Sequence, residues 1–380
     1  MKNKELRITL VESKSDLDSF IKVPEAIFRQ DPAWVTPLVI ERRMHLSAKT
    51  NPYFKHGRWQ AWIAWRGEQA VGRISAQIDS LYLDRYNDNT AFFGMLDAED
   101  NPETFRLLFE TAEKWLKNQN IERVRGPFNL SINEEMGLLI EGFQTPPFFM
   151  MGHARPYYQQ HLEDYGYTKA IDTYAYMIKP DFTAPAVMQK ILAKASDRIN
   201  VRPINLKKFD EEMATMRDIF NDAWSENWGF IPFTEAEFHE LGQSLRFLVA
   251  AELIQIAEVD GEAAAFLVAL PNINEAIRDL KGKLFPTGLF KLLWRLKVKY
   301  PDSARVPLMG VRKKHQRTRL GPGLAFLVID ATRKHLHRRG VEKIELSWIL
   351  ENNRGMRNII ESIGGDAYKR YRVYERQLLD

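Results

Sequence analysis

A basic loop that leads into a glycine-containing helix start is the segment of this sequence best suited to hold a charged ligand. Residues 311–324 read VRKKHQRTRLGPGL. A helix N-terminus presents free N–H groups and partial positive charge, which attract phosphate, and glycine lets the backbone approach a ligand closely. The segment therefore predicts a site for a diphosphate and a further phosphate, although a solvated basic turn before an ordinary helix has the same composition. The basic or potentially basic side chains are Arg312, Lys313, Lys314, His315, Arg317 and Arg319.

A second polar segment lies in the first half of the chain, where residues 126–137 read GPFNLSINEEMG. Asn129, Ser131 and Asn133 alternate with apolar residues, so a strand would place all three on one face. Because burial of unpaired polar groups is costly, we expect them to be exposed, to line a substrate cleft, to form an internal polar network or to make an inter-domain contact. Glu134 stands at the end of this strand and is a candidate for proton transfer.

The structural elements that carry these segments occur twice along the chain. Trp34 and Trp228 lie 194 residues apart, as do two Gly-Glu turns. Each half reads as a strand, an amphipathic helix, a Trp loop ending in Pro, a hairpin, a long helix, a strand, a short helix and an aromatic strand. The two long helices are predicted over 102–118 and 322–338.

The composition is that of a globular protein and excludes several kinds of site. The 380 residues are 45% hydrophobic and 27% charged, which rules out a wholly disordered chain. Cysteine is absent, and this excludes disulfides, thiolate nucleophiles, iron–sulfur clusters and cysteine-type zinc sites. His335 and His337 do not share a helix face, and we expect no metal. The net charge of +4 gives no reason to expect nucleic acid.

The second half resembles the GCN5-related N-acetyltransferase (GNAT) superfamily in element order and in two short motifs. Residues 311–324 are similar to the family's acyl-CoA loop, Gln/Arg-x-x-Gly-x-Gly/Ala, with Thr318 where Gln or Arg is usual. Residues 353–364 are similar to its Asn-x-x-Ala…Leu-Tyr-Glu-x-x-Gly helix. The resemblance implies acetyl-CoA or a longer acyl-CoA as co-substrate. The implied binding residues are Val311, Arg312, Gln316, Arg317, Thr318, Arg319, Leu320, Gly321, Gly323, Leu324 and Asn353.

The first half lacks this loop. At the corresponding junction, residues 97–103 read DAEDNPE, so the charge is inverted and no glycine is present. Carboxylates at a helix N-terminus already satisfy the helix dipole and would repel a phosphate. We therefore predict one acyl-CoA site, in the second half, and a first copy that keeps the fold without the cofactor.

The resemblance also implies a base for the amine and an acid for the departing thiolate. Ile360 stands where the family helix usually has Tyr, which leaves the acid open. The candidate catalytic residues are Glu351, Tyr368 and Glu134, with core packing of Tyr368 and solvation of Glu351 as alternatives. The loop at 224–232 corresponds to the loop that covers the acceptor site in family members. Here it could equally pack on the sheet. The candidate substrate contacts are Trp224, Asn227, Trp228, Phe230, Asn129 and Asn133.

An insertion separates the second hairpin from the basic loop. Residues 281–300 read KGKLFPTGLFKLLWRLKVKY, with six basic residues and no acidic one. A basic amphipathic helix containing Trp is suited to a membrane interface, but it could also cap an apolar tunnel or dock on the domain. No apolar run approaches the about 18 residues that span a bilayer. We expect a cytoplasmic protein, with peripheral contact at the inner membrane surface through this segment left open.

The resemblance implies an α/β (α+β) fold with two tandem GNAT-like domains, each a mixed, mainly antiparallel twisted sheet flanked by helices. The predicted limits are 1–180 for the degenerate copy, 181–196 for a linker and 197–380 for the acyl-CoA domain, with the insertion at 275–302. The expected reaction moves an acyl group from a thioester to an amine. Similar proteins include bacterial ceramide synthases, which acylate a long-chain amino base.

Two other functions stay open at this point. One is long-chain acyl transfer to a sphingoid-type amine at the membrane surface, and the other is a non-catalytic acyl-CoA sensor. A tRNA-dependent aminoacyl-transferase would need a large basic surface, and the small net charge argues against it.

Overall fold

The computed structural model describes residues 5–183, 185–186, 189–190, 193, 198–318 and 320–378. The chain divides into two compact units. The first unit contains Met1–Thr173, Ile277–Leu284 and Lys369–Asp380, and the second contains Tyr174–Ala276 and Phe285–Tyr368.

The first unit is built on a mixed sheet. Its strands are β1 (Leu6–Leu10), β2 (Gly57–Arg66), β3 (Gln69–Asp79), β4 (Thr90–Ala98), β5 (Arg123–Gly126), β6 (Phe128–Asn129), β7 (Glu135–Met136), β8 (Leu138–Glu141), the start of β9 (Thr168–Ile178) and most of β15 (Asp366–Gln377). Strands β1 to β5 pair in sequence order, and β15 pairs with β5 and β8. All these pairs are antiparallel except β4 with β5. Strands β6 and β7 form a separate ribbon.

Helices cover this sheet, and their ends follow from local sequence. The helices are Lys14–Ile27, Val39–His45, Ser80–Tyr86, Pro102–Lys117 and Tyr157–Asp164. The Asn101 side chain accepts hydrogen bonds from the N–H groups of Glu103 and Thr104 at 2.9 and 3.2 Å, while Pro102 occupies the first turn, where a missing N–H costs nothing. The buried Phe105 and Phe109 side chains of this helix pack inwards.

The second unit repeats the plan. Its strands are the end of β9, β10 (Ile199–Pro203), β11 (Ile254–Val259), β12 (Glu262–Pro271), β13 (Ser303–Val311), β14 (Lys343–Leu350) and the start of β15. Strands β10 to β13 pair antiparallel in sequence order, and β13 pairs with β14 in parallel. The helices are Phe209–Trp224, Glu235–Arg246, Ile273–Ile277, Gly288–Trp294, Lys313–Gln316, Leu320–Arg338 and Arg354–Ser362.

A β-bulge opens a fork between the two parallel strands of the second unit. Leu270 pairs with Arg305 and Val268 pairs with Leu308, so Val306 and Pro307 together oppose one residue of β12. A bulge bends its strand and increases the local twist, and proline, which has no N–H, is tolerated in a strand at such a place. The parallel register with β14 runs only from Ser303–Lys343 to Val306–Leu346. Both strands then continue beyond their last shared pair.

The first unit contains an equivalent β-bulge and fork. Arg73 pairs with Asp97 and Ser75 with Gly94, so Met95 and Leu96 form the bulge of β4. The parallel register between β4 and β5 spans only the three pairs from Thr90 to Phe92. The duplication inferred from the sequence therefore extends to the position of the bulge.

The expected fold class is confirmed: each unit is a mixed, mainly antiparallel sheet flanked by helices. The first long helix begins at the predicted residue, whereas the second begins at Leu320, two residues earlier than predicted. Residues 369–377 of β15 belong to the first unit, and residues 174–178 of β9 belong to the second. The limits drawn at 1–180 and 197–380 follow the sequence repeat and stay predictions, and part of the 181–196 linker lies outside the described residues.

We expect Arg372→Ala to lower the free energy of unfolding of the first unit by about 1–3 kcal/mol at pH 7. The Arg372 guanidinium donates to both oxygens of buried Asp172 at 2.8 and 3.0 Å. Burial opposes ionisation of this carboxyl, but its bonds with Arg372 outweigh burial and lower its pKa. The stabilisation is therefore present above the unfolded-state pKa and is lost as the pH falls through the folded-state value.

Urea unfolding followed by amide exchange of β5 measures this loss. The control is Arg106→Ala, which removes an exposed i, i+4 pair with Glu110 and should cost at most about 0.5 kcal/mol. An Arg372→Ala loss no larger than that of the control would contradict the place of β15 in the first unit.

Candidate active site

A buried polar cluster lies where β13 and β14 separate. The Glu345 side chain on β14 is fully buried, and Arg305 on β13 is 1% exposed. Ser347 donates to Glu345 Oε1 at 2.8 Å, Arg305 Nε donates to Ser347 Oγ at 3.0 Å, and Arg305 Nε lies 3.4 Å from Glu345 Oε1. Tyr368, at the start of β15, donates its hydroxyl to Glu345 Oε2. A carboxylate, a guanidinium and a phenol therefore share one site at the fork.

Of these four residues, sequence reasoning named only Tyr368. Glu345 and Ser347 are two residues apart on a strand that is otherwise largely apolar, so they share one face with alternating polarity. This alternation of polar and apolar residues is the sequence feature that could have identified Glu345 and Ser347. Nothing local to residue 305 or 368 indicates that either side chain reaches Glu345, since these positions are distant along the chain.

The basic loop leaves the end of β13 with its cations already paired. Ion pairs join Arg312 to Asp218 at 3.0 Å, Lys313 to Glu226 at 2.8 Å and Lys314 to Glu262 at 2.6 Å. The carboxylates are exposed, and exposed pairs of this kind contribute little to stability.

The remaining basic side chains of the loop differ in exposure and protonation. Arg317 is 89% exposed and lies 3.5 Å from Glu226. Burial and the neighbouring Lys314 lower the pKa of His315, so this imidazole is neutral at pH 7. Arg319 lies outside the described residues.

The start of the helix Leu320–Arg338 is held by tight backbone contacts. The Thr318 hydroxyl accepts from the Leu320 N–H at 3.2 Å, and the Gly321 N–H donates to the Thr318 carbonyl at 3.3 Å. A Cβ at Gly321 would lie 2.7 Å from the His315 carbonyl oxygen. Glycine is therefore required here because the chain folds back on itself, whatever else it binds.

Other predicted cofactor residues have structural roles in the loop and the following helix. Gln316 donates its amide to the carbonyls of Val311 and Ala223 at 2.8 and 3.1 Å. Leu324 and Gly323 are buried. Asn353 caps the helix Arg354–Ser362 by accepting from the Met356 N–H at 3.1 Å. Binding of a cofactor by these residues stays a prediction.

The predicted acceptor loop packs against the sheet of the second unit. The Trp224 indole N–H donates to the Met309 carbonyl at 2.9 Å, beyond the last β13–β14 pair. Phe230 is buried, and its N–H donates to the Asn227 carbonyl at 3.2 Å. Trp228 is half-buried in the same turn. The loop thus covers the end of the fork, which is compatible with both sequence interpretations.

Glu351 follows β14 directly, ahead of the Asn353 cap. Its carbonyl accepts from Arg357 Nη1 at 3.2 Å, and its side chain is half-buried. Its role as a base stays a prediction.

The polar segment of the first unit forms an internal network. Asn129 accepts from the Met95 N–H at 2.7 Å and donates to Glu135 at 2.7 Å, and Arg42 donates to Glu135 at 3.1 Å. Asn133 donates its N–H to the Ser131 hydroxyl at 3.2 Å. A Cβ at Gly94 would clash with the Phe128 carbonyl. The chain itself therefore fills the fork of this unit. The Met95 N–H in the bulge already has the Asn129 side chain as its acceptor.

Glu134 belongs to the same region and lies 2.9 Å from the imidazole of His45. Burial opposes the charged form of this histidine, but the carboxylate outweighs burial and raises the pKa of His45. The two side chains thus form a largely buried ion pair, which favours the internal network over a substrate contact.

Two absences complete the description. Over the described ranges, no three His, Asp or Glu side chains group closely enough to hold a metal ion. Within that same part of the chain, no helix combines the length and apolar character that a membrane span requires.

Sequence comparison finds close full-length relatives. No family model matches the chain. Protein YghO of Escherichia coli (strain K12) is 51% identical over 367 residues, which cover 96% of this chain and 94% of that protein. Bacterial ceramide synthase of Caulobacter vibrioides (strain NA1000 / CB15N) is 46% identical over 378 residues, which cover 99% of this chain and 98% of that protein.

Structure comparison finds the same architecture in proteins of low identity. A tandem GNAT protein from the clavulanic acid biosynthesis pathway has a TM-score of 0.58 at 12% identity, with 99% of each chain covered. A GCN5-related N-acetyltransferase from Sphaerobacter thermophilus has a TM-score of 0.55 at 13% identity, covering 99% of this chain and 96% of that one. At such identities the likeness establishes the fold, and the tandem GNAT resemblance read from the sequence is confirmed.

We expect His45→Gln to lower the free energy of unfolding more near pH 5 than near pH 9. Because the native pKa of His45 is raised, the pair with Glu134 stabilises the fold fully below the unfolded-state pKa of about 6.5. The stabilisation is lost as the pH rises through the folded-state value. Urea unfolding at both pH values measures the difference.

His239→Gln is the control, because that side chain in the second unit is 45% exposed, against 17% for His45. It should change stability little at either pH. Equal losses for His45→Gln at both pH values would mean that His45 carries no charge in the native protein.

Proposed function

This chain belongs to the family of Protein YghO and the bacterial ceramide synthase and has the tandem GNAT fold, and we propose that it transfers an acyl group from an acyl-CoA thioester to an amine. The observation that carries the proposal is the fork of the second unit. There the parallel pairing of β13 and β14 ends at Val306 and Leu346, Glu345 and Tyr368 meet beside it, and β13 runs on into the basic glycine loop.

The loop would hold the phosphates of coenzyme A if its cations release their present carboxylate partners and bind phosphate oxygens instead. Arg312, Lys313 and Lys314 now face single exposed carboxylates, and such pairs contribute about 0.2–1 kcal/mol. Charge-assisted hydrogen bonds to a doubly charged phosphate are roughly twice as strong as neutral ones. Binding therefore replaces weak surface pairs with stronger contacts at small cost.

The reaction itself exchanges one bond for another. The amine nitrogen attacks the thioester carbonyl carbon, the C–N bond forms, and the C–S bond breaks with its electron pair on sulfur. The amine loses one proton, and the thiolate of coenzyme A gains one. Neither an oxidant nor a metal is needed for this balance.

We infer that Tyr368 and Glu345 handle the protons of this reaction. The Tyr368 hydroxyl donates to Glu345. The phenol gives its proton to sulfur, the ionised Glu345 accepts the proton that the amine loses, and that proton then passes from Glu345 to the phenolate oxygen. Arg305, next to the same carboxylate, favours its ionised form. We assign Tyr368 the role of general acid and Glu345 the role of its partner, whereas Glu351 stays an alternative base.

A long-chain acyl group and a lipid-like amine are the second candidate, favoured by one specific observation. The relative named bacterial ceramide synthase is 46% identical over nearly the whole of both chains. A ceramide is a fatty acyl amide of a long-chain amino base. We propose a sphingoid-type amine as the first acceptor to try, ahead of small polar amines.

We expect Gly321→Glu and Arg317→Glu each to weaken acyl-CoA binding about tenfold or more, because each places a carboxylate beside the bound phosphates. Isothermal titration calorimetry of the full chain with acetyl-CoA and palmitoyl-CoA measures the change and compares the two chain lengths. Arg317 is exposed, so its variant should fold even if the crowded Gly321 variant does not.

Arg106→Glu is the matched control, since it reverses one exposed Arg beside a Glu in the first unit. It should leave binding unchanged. If the wild-type chain binds neither thioester, both the transferase hypothesis and the sensor hypothesis are ruled out.

We expect Tyr368→Phe to lower kcat about a hundredfold or more while acyl-CoA binding is kept, because only the proton donor is lost. Tyr374→Phe is the matched control: Tyr374 lies on the same strand and also donates to a carboxylate, Glu163, at 2.9 Å. Its kcat should match that of the wild type.

Amine-dependent release of coenzyme A is the readout. A Tyr368→Phe variant with unchanged kcat would rule out the assigned acid. If the wild-type chain binds acyl-CoA but releases none with any amine of a broad panel, the sensor hypothesis is favoured.

A further inference from the structure

The insertion of the second unit carries an apolar face that no described part of that unit covers. The helix Gly288–Trp294 continues as a wider turn over Arg295–Lys299. Its inner side buries Leu292 and Leu296. Its outer side presents Phe290, Trp294 and Val298, which are 75%, 54% and 69% exposed. We call these three residues the outer stripe.

The spacing shows that the outer stripe is a true helix face. Its members stand at i, i+4 and i+8, the spacing that places side chains above one another on a helix. Leu293, 38% exposed, widens the stripe, and Phe285, 60% exposed, precedes it. Across the described residues, five of the ten large exposed hydrophobic side chains fall between positions 285 and 298. A helix in contact with water alone would be polar on this side.

The helix is fixed to the unit by contacts on its inner side, and these contacts hold the outer stripe towards the surface. Buried Leu292 and Leu296 anchor its inner side, and Arg295 donates to the Ala276 carbonyl at 2.7 Å. Where the segment ends, the Asp302 N–H donates to Glu275 at 2.8 Å. Its outward orientation is therefore set by the fold.

Charge at the stripe has one sign. Between residues 285 and 300 the basic residues are Lys291, Arg295, Lys297 and Lys299, and no acidic residue occurs. Lys297 and Lys299 are exposed at the end of the stripe. Lysines beside an apolar face with Trp are suited to the interface of an anionic bilayer, where the rings enter the headgroup boundary and the ammonium groups meet lipid phosphates.

We propose that the outer stripe docks this protein on the surface of an anionic lipid membrane, with Lys297 and Lys299 on the lipid headgroups. A second copy is a poorer occupant. In a two-fold contact the same patch meets itself, so the lysines of the two copies would face one another without an acidic residue of the segment to separate them. A bilayer offers both an apolar layer and negative charge.

Docking would bring the second unit to the place where a lipid-like substrate is dissolved. The inference rests on the outer stripe and not on the proposed reaction. Vesicle binding and acyl-CoA binding can therefore fail independently, and neither failure would be mistaken for the other.

Flotation of the full chain with vesicles tests the proposal. One set of vesicles is phosphatidylcholine with about one-third phosphatidylglycerol, and the other is pure phosphatidylcholine. We expect binding to the anionic set, weaker binding to the neutral set, and a fall with rising salt. Phe290→Ser/Trp294→Ser and Lys297→Glu/Lys299→Glu should each reduce binding at least about tenfold.

Phe247→Ser is the matched control, since Phe247 is 73% exposed outside the insertion, and it should bind like the wild type. All variants alter exposed side chains and should keep the thermal unfolding midpoint of the parent. The proposal is overturned if the wild-type chain does not float with anionic vesicles, or if Phe247→Ser loses as much binding as the stripe variant. It is also overturned if light scattering shows a dimer that the stripe variant abolishes, which would assign this face to a second copy.

Discussion

The parallel ladder of the second unit ends after four residue pairs, and the candidate site is organised around that end. Val306 and Pro307 together oppose one residue of β12, so β13 bends away from β14 where proline also removes a donor. The Glu345 and Tyr368 side chains meet beside the last pairs of this ladder, and β13 runs on from its end into the basic loop before the helix Leu320–Arg338.

The first unit shows what happens to the same fork when the chain fills it. Its bulge at Met95 and Leu96 is placed as in the second unit, but the Met95 N–H already donates to the Asn129 side chain. Phe128 presses its carbonyl against Gly94, and Glu135 ties Asn129 to Arg42. These polar groups satisfy one another, and the chain itself occupies the fork of this unit.

Charged side chains occur in three different surroundings in the second unit: the exposed loop, the buried fork and the insertion. At the loop the pairs are exposed, and they can be exchanged for a ligand at little cost. At the fork the Arg305 and Glu345 pair is buried, and removal of one partner would leave an uncompensated charge in the interior. On the insertion the lysines have no acidic neighbour in the segment, and their charge is directed outwards beside an apolar stripe. The same residue types therefore stand in exposed ion pairs, in a buried ion pair and in a segment with charge of one sign.

The sequence by itself determined the element order, the duplication, the start of the first long helix and the amphipathic insertion. These are local properties: Asn101 and Pro102 signal a helix start through their own chemistry, and alternation or helical spacing reports which face is apolar. Only the tertiary structure decided which side chains meet. Glu345 contacts Tyr368 and Arg305 on other strands. The loop cations pair with Asp218, Glu226 and Glu262, and β15 pairs with β5 in the first unit. Such contacts depend on strand register, on a bulge and on chain crossings, and no local periodicity encodes the partner that a cross-strand neighbour supplies.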